Sequence, residues 1–162
     1  MAIKRLNHAV YYVRDARVAE RFYCDVLGFG VVVGDPAGRF SFLRAEASDN
    51  HHDVALFTIG STATANPAGR GGAVGLYHLA WEVETIAELE TFRRRLSEVG
   101  ALVGASDHGV SKSLYAVDPD GNEFEIMWAV PPALWGDLEH DMVIEPLDLA
   151  REIARWSEID PG

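Results

Sequence analysis

Three residues in this chain have the type and setting to hold a divalent metal. His8 lies in the alternating stretch LNHAVYYV and His78 in LYHLAWEV, each placing one imidazole in an apolar strand. Glu125 closes the segment HGVSKSLYAVDPDGNEFE, just after its DPDGN turn. Because Glu125 stands between Phe124 and Ile126, it points to the opposite strand face from both. A carboxylate among large apolar side chains is costly unless it is paired or bound to a metal. Two neutral imidazoles and one carboxylate form the facial ligand set of non-haem Fe(II) sites, which leaves coordination positions open for substrate and dioxygen. Fe(II) is therefore the first expectation and Mn(II) the second, and the ligand types also suit Zn(II) and Ni(II).

The elements that would position these residues can be read in order. Residues 3–13 alternate as a strand. Asp15 caps a helix with Val18, Ala19, Phe22, Val26 and Leu27 on one face, and Gly28 closes it. Strands follow at Phe29–Gly34, Arg39–Ala45 and VALFTI, with turns at Asp35–Gly38 and a polar SDNHHD patch between them. After Gly60 the chain becomes small, polar and glycine-rich to Gly75, which reads as a linker. The order then restarts with a strand at Leu76–Val83. Thr85 and Glu88 form a capping box for a helix with the stripe Ile86, Leu89, Phe92, Leu96 and Val99, ended by Gly100. Strands at Ala101–Ala105, Leu114–Val117 and Phe124–Ala129 complete it, the last two joined by the Asp118–Gly121 turn.

A shift of 70 residues superposes Leu6 on Leu76, His8 on His78, Phe22 on Phe92 and Gly30 on Gly100. The expected fold is thus α+β: two paired βαβββ modules, residues 1–60 and 76–130, forming a curved mixed sheet around a metal cleft. Residues 61–75 link them into one domain, 1–130. The tail 131–162 carries Pro131 and Pro132, then a helix with Leu149, Ile153 and Trp156 on one face, and shows no sign of chemistry.

Composition narrows the partners. At 162 residues and 48% hydrophobic the chain can bury a sizeable core, and a formal charge of −11 argues against nucleic acid or an anionic membrane surface. No apolar run is long enough to span a bilayer, and the N-terminus turns polar at Asn7, too soon for a secretory segment. The single cysteine, Cys24, excludes an internal disulfide and reads as a buried structural thiol, so a reducing cytoplasm is expected.

On the segments NHAVYYV, YHLAWEV and DPDGNEFEI, the chain resembles the vicinal oxygen chelate superfamily over about residues 3–130. That resemblance implies metal binding by His8, His78 and Glu125. The run His108-Gly109-Val110-Ser111 with Tyr115 and DPDG is similar to the signature of extradiol ring-cleaving dioxygenases. His51-His52 ahead of DVALF resembles the paired-His segment that supplies their distal histidine. A catechol must lose protons to chelate a metal, and the dioxygen must gain one; a His near neutral pKa serves either task. By this resemblance His52 takes the acid–base role, and His108 and Tyr115 hydrogen-bond substrate oxygens. The implied partners are a small aromatic diol and dioxygen, with a homodimer or higher homo-oligomer expected.

Other members of the superfamily make different demands. A glyoxalase-like isomerase or lyase uses a second Glu from the first module, but no Glu lies between Glu46 and Glu82, and Ala55 falls opposite Glu125 in the shift. Epimerases of the family typically use a Gln, and the chain has none. A fosfomycin-type site wants cations, of which Lys112 is the one expected near the second-module site. A small-molecule binding or resistance protein would not need the three ligands. His140 reads as surface.

Overall fold

The first helix forms where the sequence places a cap. Asp15 is extended (φ −147°) and its carboxylate accepts from the Arg17 amide, which satisfies one open N–H and contributes about 1 kcal/mol. The computed structural model describes residues 1–65 and 74–157. By its internal contacts the chain divides into two units, Met1–Ala65 and Asn66–Gly162. Most of the expected linker, residues 66–73, and the last five residues, 158–162, lie outside the described residues.

The first unit runs β1 (Ala9–Val13), α1 (Ala16–Asp25), β2 (Gly30–Gly34), β3 (Phe40–Arg44) and β4 (Val54–Thr58). Its sheet has the order β1-β4-β3-β2, with β1 and β4 parallel and the other pairs antiparallel. Leu43, Val54 and Leu56 are buried on the side that packs against α1, with Ala16, Ala19 and Tyr23 facing them from the helix. The other face carries Val10, Tyr12, Phe42, Ala55 and Phe57, where Val10 and Tyr12 remain exposed.

The second unit repeats the order: β5 (Leu79–Glu82), α2 (Ile86–Glu98), β6 (Leu102–Asp107), β7 (Ser111–Val117) and β8 (Glu123–Ala129). The Thr85–Glu88 capping box is present in full. Ile86, Leu89 and Leu96 are buried, whereas Val99 is exposed, so the apolar stripe of α2 ends one turn early. After β8 come two short 3-10 turns, β9 (Glu145–Pro146) and α3 (Leu149–Trp156). The sheet order is β5-β8-β7-β6-β9, with β5 and β8 parallel. The expected α+β fold of two βαβββ modules with a C-terminal helix is thus present, its mixed sheets having four and five strands. The two-residue β9 has no periodicity to betray it.

The internal repeat is visible in the register. Val10 pairs with Ala55 and Ala80 pairs with Glu125, the same step in each unit. Both modules also carry a bulge at the same place, between Val31 and Val33 and between Leu102 and Gly104. One matched pair needs correcting. The left-handed glycines that end the helices are Gly28 (φ +77°) and Gly100 (φ +68°), so Gly100 corresponds to Gly28, while Gly30 already lies in β2. The helices and their turns differ in length, which breaks a constant offset. Among the described residues, no helix is long and apolar enough to cross a membrane.

Candidate functional site

In the first unit His8 sits one residue before β1. Its Nδ1 lies 2.9 Å from the Asn7 amide oxygen, while the Asn7 amide nitrogen donates to Asn50 Oδ1 at 2.9 Å. An amide oxygen only accepts, so Nδ1 of His8 carries a hydrogen, and in the neutral ring the lone pair is then on Nε2, as a metal ligand requires. The His52 ring stands 4.6 Å from that of His8 and 5.0 Å, edge-on, from Phe42. Partial burial lowers the His52 pKa below the usual histidine value, and His8 and His51 add to the effect. His51 Nδ1 approaches His52 Nδ1 at 3.0 Å, so one ring donates to the other.

The loop that carries these rings is built on Asp53. That buried carboxylate accepts from the Ala45 amide (2.9 Å), the Ser48 hydroxyl (2.8 Å) and the Asn50 amide (2.7 Å). The Asp53 carbonyl also accepts from the Ala9 amide, next to His8. Asn7, Asn50 and Asp53 were not among the expected site residues, although Asn7 opens NHAVYYV and Asp53 opens DVALF. The density of Ser, Asp and Asn between two strands was the available signal for a loop organised by side-chain bonds to the backbone.

In the second unit, His78 lies two residues before Ala80 and so on the same face as Glu125. His78 Nε2 is 3.0 Å from Glu125 Oε2, and Glu125 is only 9% exposed. Two ligand bonds of about 2.1 Å at right angles put their donor atoms about 3.0 Å apart, so this pair is spaced as neighbours on one ion would be. The DPDGN turn delivers the carboxylate. Asp118 accepts from the amides of Asp120 (2.9 Å) and Asn122 (2.8 Å), and Gly121 adopts φ +83°. Burial raises the Asp118 pKa, with the Asn122 bonds opposing.

Tyr115 pairs across β7 and β8 with Glu125, and its ring is 5.7 Å from that of His78. Its hydroxyl is 2.8 Å from His108 Nε2, and His108 Nδ1 is 2.9 Å from the Val143 carbonyl oxygen. Burial, followed by the Glu125 charge, pushes the Tyr115 phenol above its ordinary value. Tyr77, whose ring is 4.6 Å from that of His78, also stands at this site; it opens the YHLAWEV segment but was not among the expected site residues.

Two expectations are corrected. Lys112 is on the opposite strand face from Tyr115, 1% exposed, and bonds Asp107 and the Gly109 carbonyl, so it offers no charge to the site. Cys24 is half-buried rather than buried; burial, then Glu20 and Asp25, raise its thiol pKa and leave it a poor nucleophile. His140 is exposed, as expected. Among the described residues, no three His, Cys, Asp or Glu side chains are gathered into one cage. The pairs within units are His8 with His52, and His78 with Glu125.

Comparison with known proteins follows the same outline. Residues 5–126 match the model of the glyoxalase/bleomycin resistance protein/dioxygenase superfamily. The chain is 36% identical over 123 residues to a biphenyl-2,3-diol 1,2-dioxygenase of Rhodococcus globerulus, covering 75% of this chain and 62% of that protein. It is 31% identical over 130 residues to the catechol-2,3-dioxygenase of Bacillus subtilis, covering 80% of this chain and 43% of that one. It therefore spans about half the length of these curated relatives. In fold it is similar to a glyoxalase/dioxygenase from Nostoc punctiforme, with a TM-score of 0.65 at 17% identity, covering 79% and 92% of the two chains. With matched residues running from before β1 into β8, this chain belongs to the glyoxalase/bleomycin resistance protein/dioxygenase superfamily.

Proposed function

We propose that the protein is an Fe(II)-dependent extradiol dioxygenase that opens a catecholic ring beside its hydroxyls. His8, His78 and Glu125 would hold the metal, within one domain of paired modules or across a homodimer. A metal held by these residues would supply Lewis acidity toward the catechol hydroxyls and a place for dioxygen.

The remaining work falls to the chain's own groups. His52, its pKa below the ordinary histidine value, is neutral near pH 7 and can take up a proton beside the site. Tyr115 and His108 form a donor–acceptor pair on the Glu125 face, in which the Tyr115 oxygen can accept a substrate proton as its own hydrogen passes to His108 Nε2. Phe42 and Phe57 offer an apolar wall for an aromatic ring.

The observation that carries this reading is the His108–Tyr115 hydrogen bond beside the Glu125–His78 pair. A glyoxalase-like reading is disfavoured because β4 presents Ala55 at the register position of Glu125, so the first module supplies no second carboxylate. A fosfomycin-type reading lacks its cation once Lys112 is turned away.

The test is anaerobic reconstitution with Fe(II), then admission of air to a panel of catechols. Yellow ring-fission products are expected. Isomerisation of methylglyoxal–glutathione hemithioacetal with Ni(II) or Zn(II), and no catechol turnover, would overturn the proposal.

A further inference from the structure

Nothing in the sequence after Trp128 signals chemistry, yet that segment supplies one of the two hydrogen-bond partners of the His108 ring, the Val143 carbonyl. Two anchors hold Val143 there. The first is β9, where Glu145 pairs with Asp107, the residue before His108. The second is α3, fastened through Glu152, which is 1% exposed. The Glu152 carboxylate faces Lys112 Nζ at 3.4 Å and accepts from the Trp156 indole at 3.0 Å.

Lys112 donates in turn to Asp107 Oδ1 at 2.5 Å and to the Gly109 carbonyl at 3.1 Å, and Asp107 Oδ1 accepts from the Gly109 amide. The ammonium thus donates twice to the turn that contains His108 and is ion-paired with the Glu152 carboxylate of the arm, which ties the two together. Gly109 is left-handed (φ +75°), and a Cβ there would stand 3.5 Å from Leu138 and Val143, so turn and arm touch.

An imidazole held at both nitrogens has one tautomer. A carbonyl oxygen only accepts, so the Val143 contact keeps the hydrogen on Nδ1, and Nε2 of the neutral ring accepts from the Tyr115 hydroxyl. Without the carbonyl, the Nε2–H form becomes accessible, and the bond to Tyr115 reverses direction. We propose that the C-terminal arm is a positioning device for His108, with Glu152 locking α3 onto Lys112 so that the Val143 carbonyl holds the ring in the Nδ1–H form. The consequence for ring cleavage rests on the proposed function; the tautomer itself does not.

Long-range 1H–15N NMR of the imidazoles in the full chain reads the tautomer directly, with His108 identified by its loss in His108→Gln. The Nδ1–H form is expected in the wild type. In Glu152→Leu the two His108 nitrogen shifts should converge, and kcat on a catechol should fall about tenfold or more with bound iron unchanged. Glu152→Gln keeps an acceptor for Lys112 and Trp156 and should restore the wild-type pattern. If Glu152→Leu fails to fold, Trp156→Ala loosens α3 by removing the Trp128 contact and is read the same way.

An Nε2–H form in the wild type would overturn the proposal. So would a wild-type tautomer in a folded variant whose Trp indole signals show α3 released. Absent catechol turnover combined with the expected tautomer would count against the dioxygenase reading alone.

Discussion

Away from the helix, the first module runs Val33, Phe42, Ala55 and Val10 across its four strands, and the matching positions of the second read Gly104, Tyr115, Glu125 and Ala80. One register therefore carries an apolar row in one unit and a hydroxyl and a carboxylate in the other. The first module hangs its polar groups at the end of that row, with His52 on a loop organised by Asp53. The second builds its groups into the strands. On the proposed function, a strand that fixes a side chain by its neighbours on both sides would suit a metal ligand that must not move. A loop that can change without disturbing the sheet would suit a group that sets the reaction.

The contrast can be broken at its most polar point. Glu125→Ala makes the second row resemble the first, and both bound iron and ring cleavage should be lost; iron content after dialysis and oxygen uptake measure this. His52→Phe removes the loop-borne group alone. It should keep iron and cut turnover by roughly two to four orders of magnitude, read in single-turnover kinetics. Tyr115→Phe gives the second module the aromatic that the first has at Phe42. Iron should stay bound, with kcat/KM down about 10- to 100-fold in steady-state assays.

The smallest effect concerns pH. Burial pushes the Asp107 carboxyl up, but the Lys112 ammonium and the Gly109 amide outweigh it and hold the pKa below the ordinary value. A depressed carboxyl pKa contributes stability above its unfolded value of about 3.9, and loses it as pH falls through the folded value. Asp107→Asn should therefore flatten the fall of Tm with pH below about 4, as measured by scanning calorimetry.

Much of this was legible from local signals. Asp15, Thr85 and Glu88 announced their helices, and the DPAG and DPDG turns announced their hairpins, because each acts within a few residues of itself. His8, His78 and Glu125 stood out because a polar residue in an apolar strand needs a reason. The side on which Lys112 lies was decided by alternation from Tyr115, which places it with Leu114 and Ala116 among the buried residues. The carbonyl that meets His108 could not be read, since backbone acceptors leave no trace in residue type and Val143 is far along the chain.

The parallel pairing of β5 with β8 has a consequence for assembly. His78 precedes the first strand of its module and Glu125 lies in the last βαβββ strand, so the helix and three strands separate the pair. Contacts of such sequence separation form late, after the cost of closing the intervening chain has been met. During synthesis His78 emerges well before its carboxylate. On the proposed function, a half-made module would have no two-armed grip on iron, and metal loading would wait for completion of the second module.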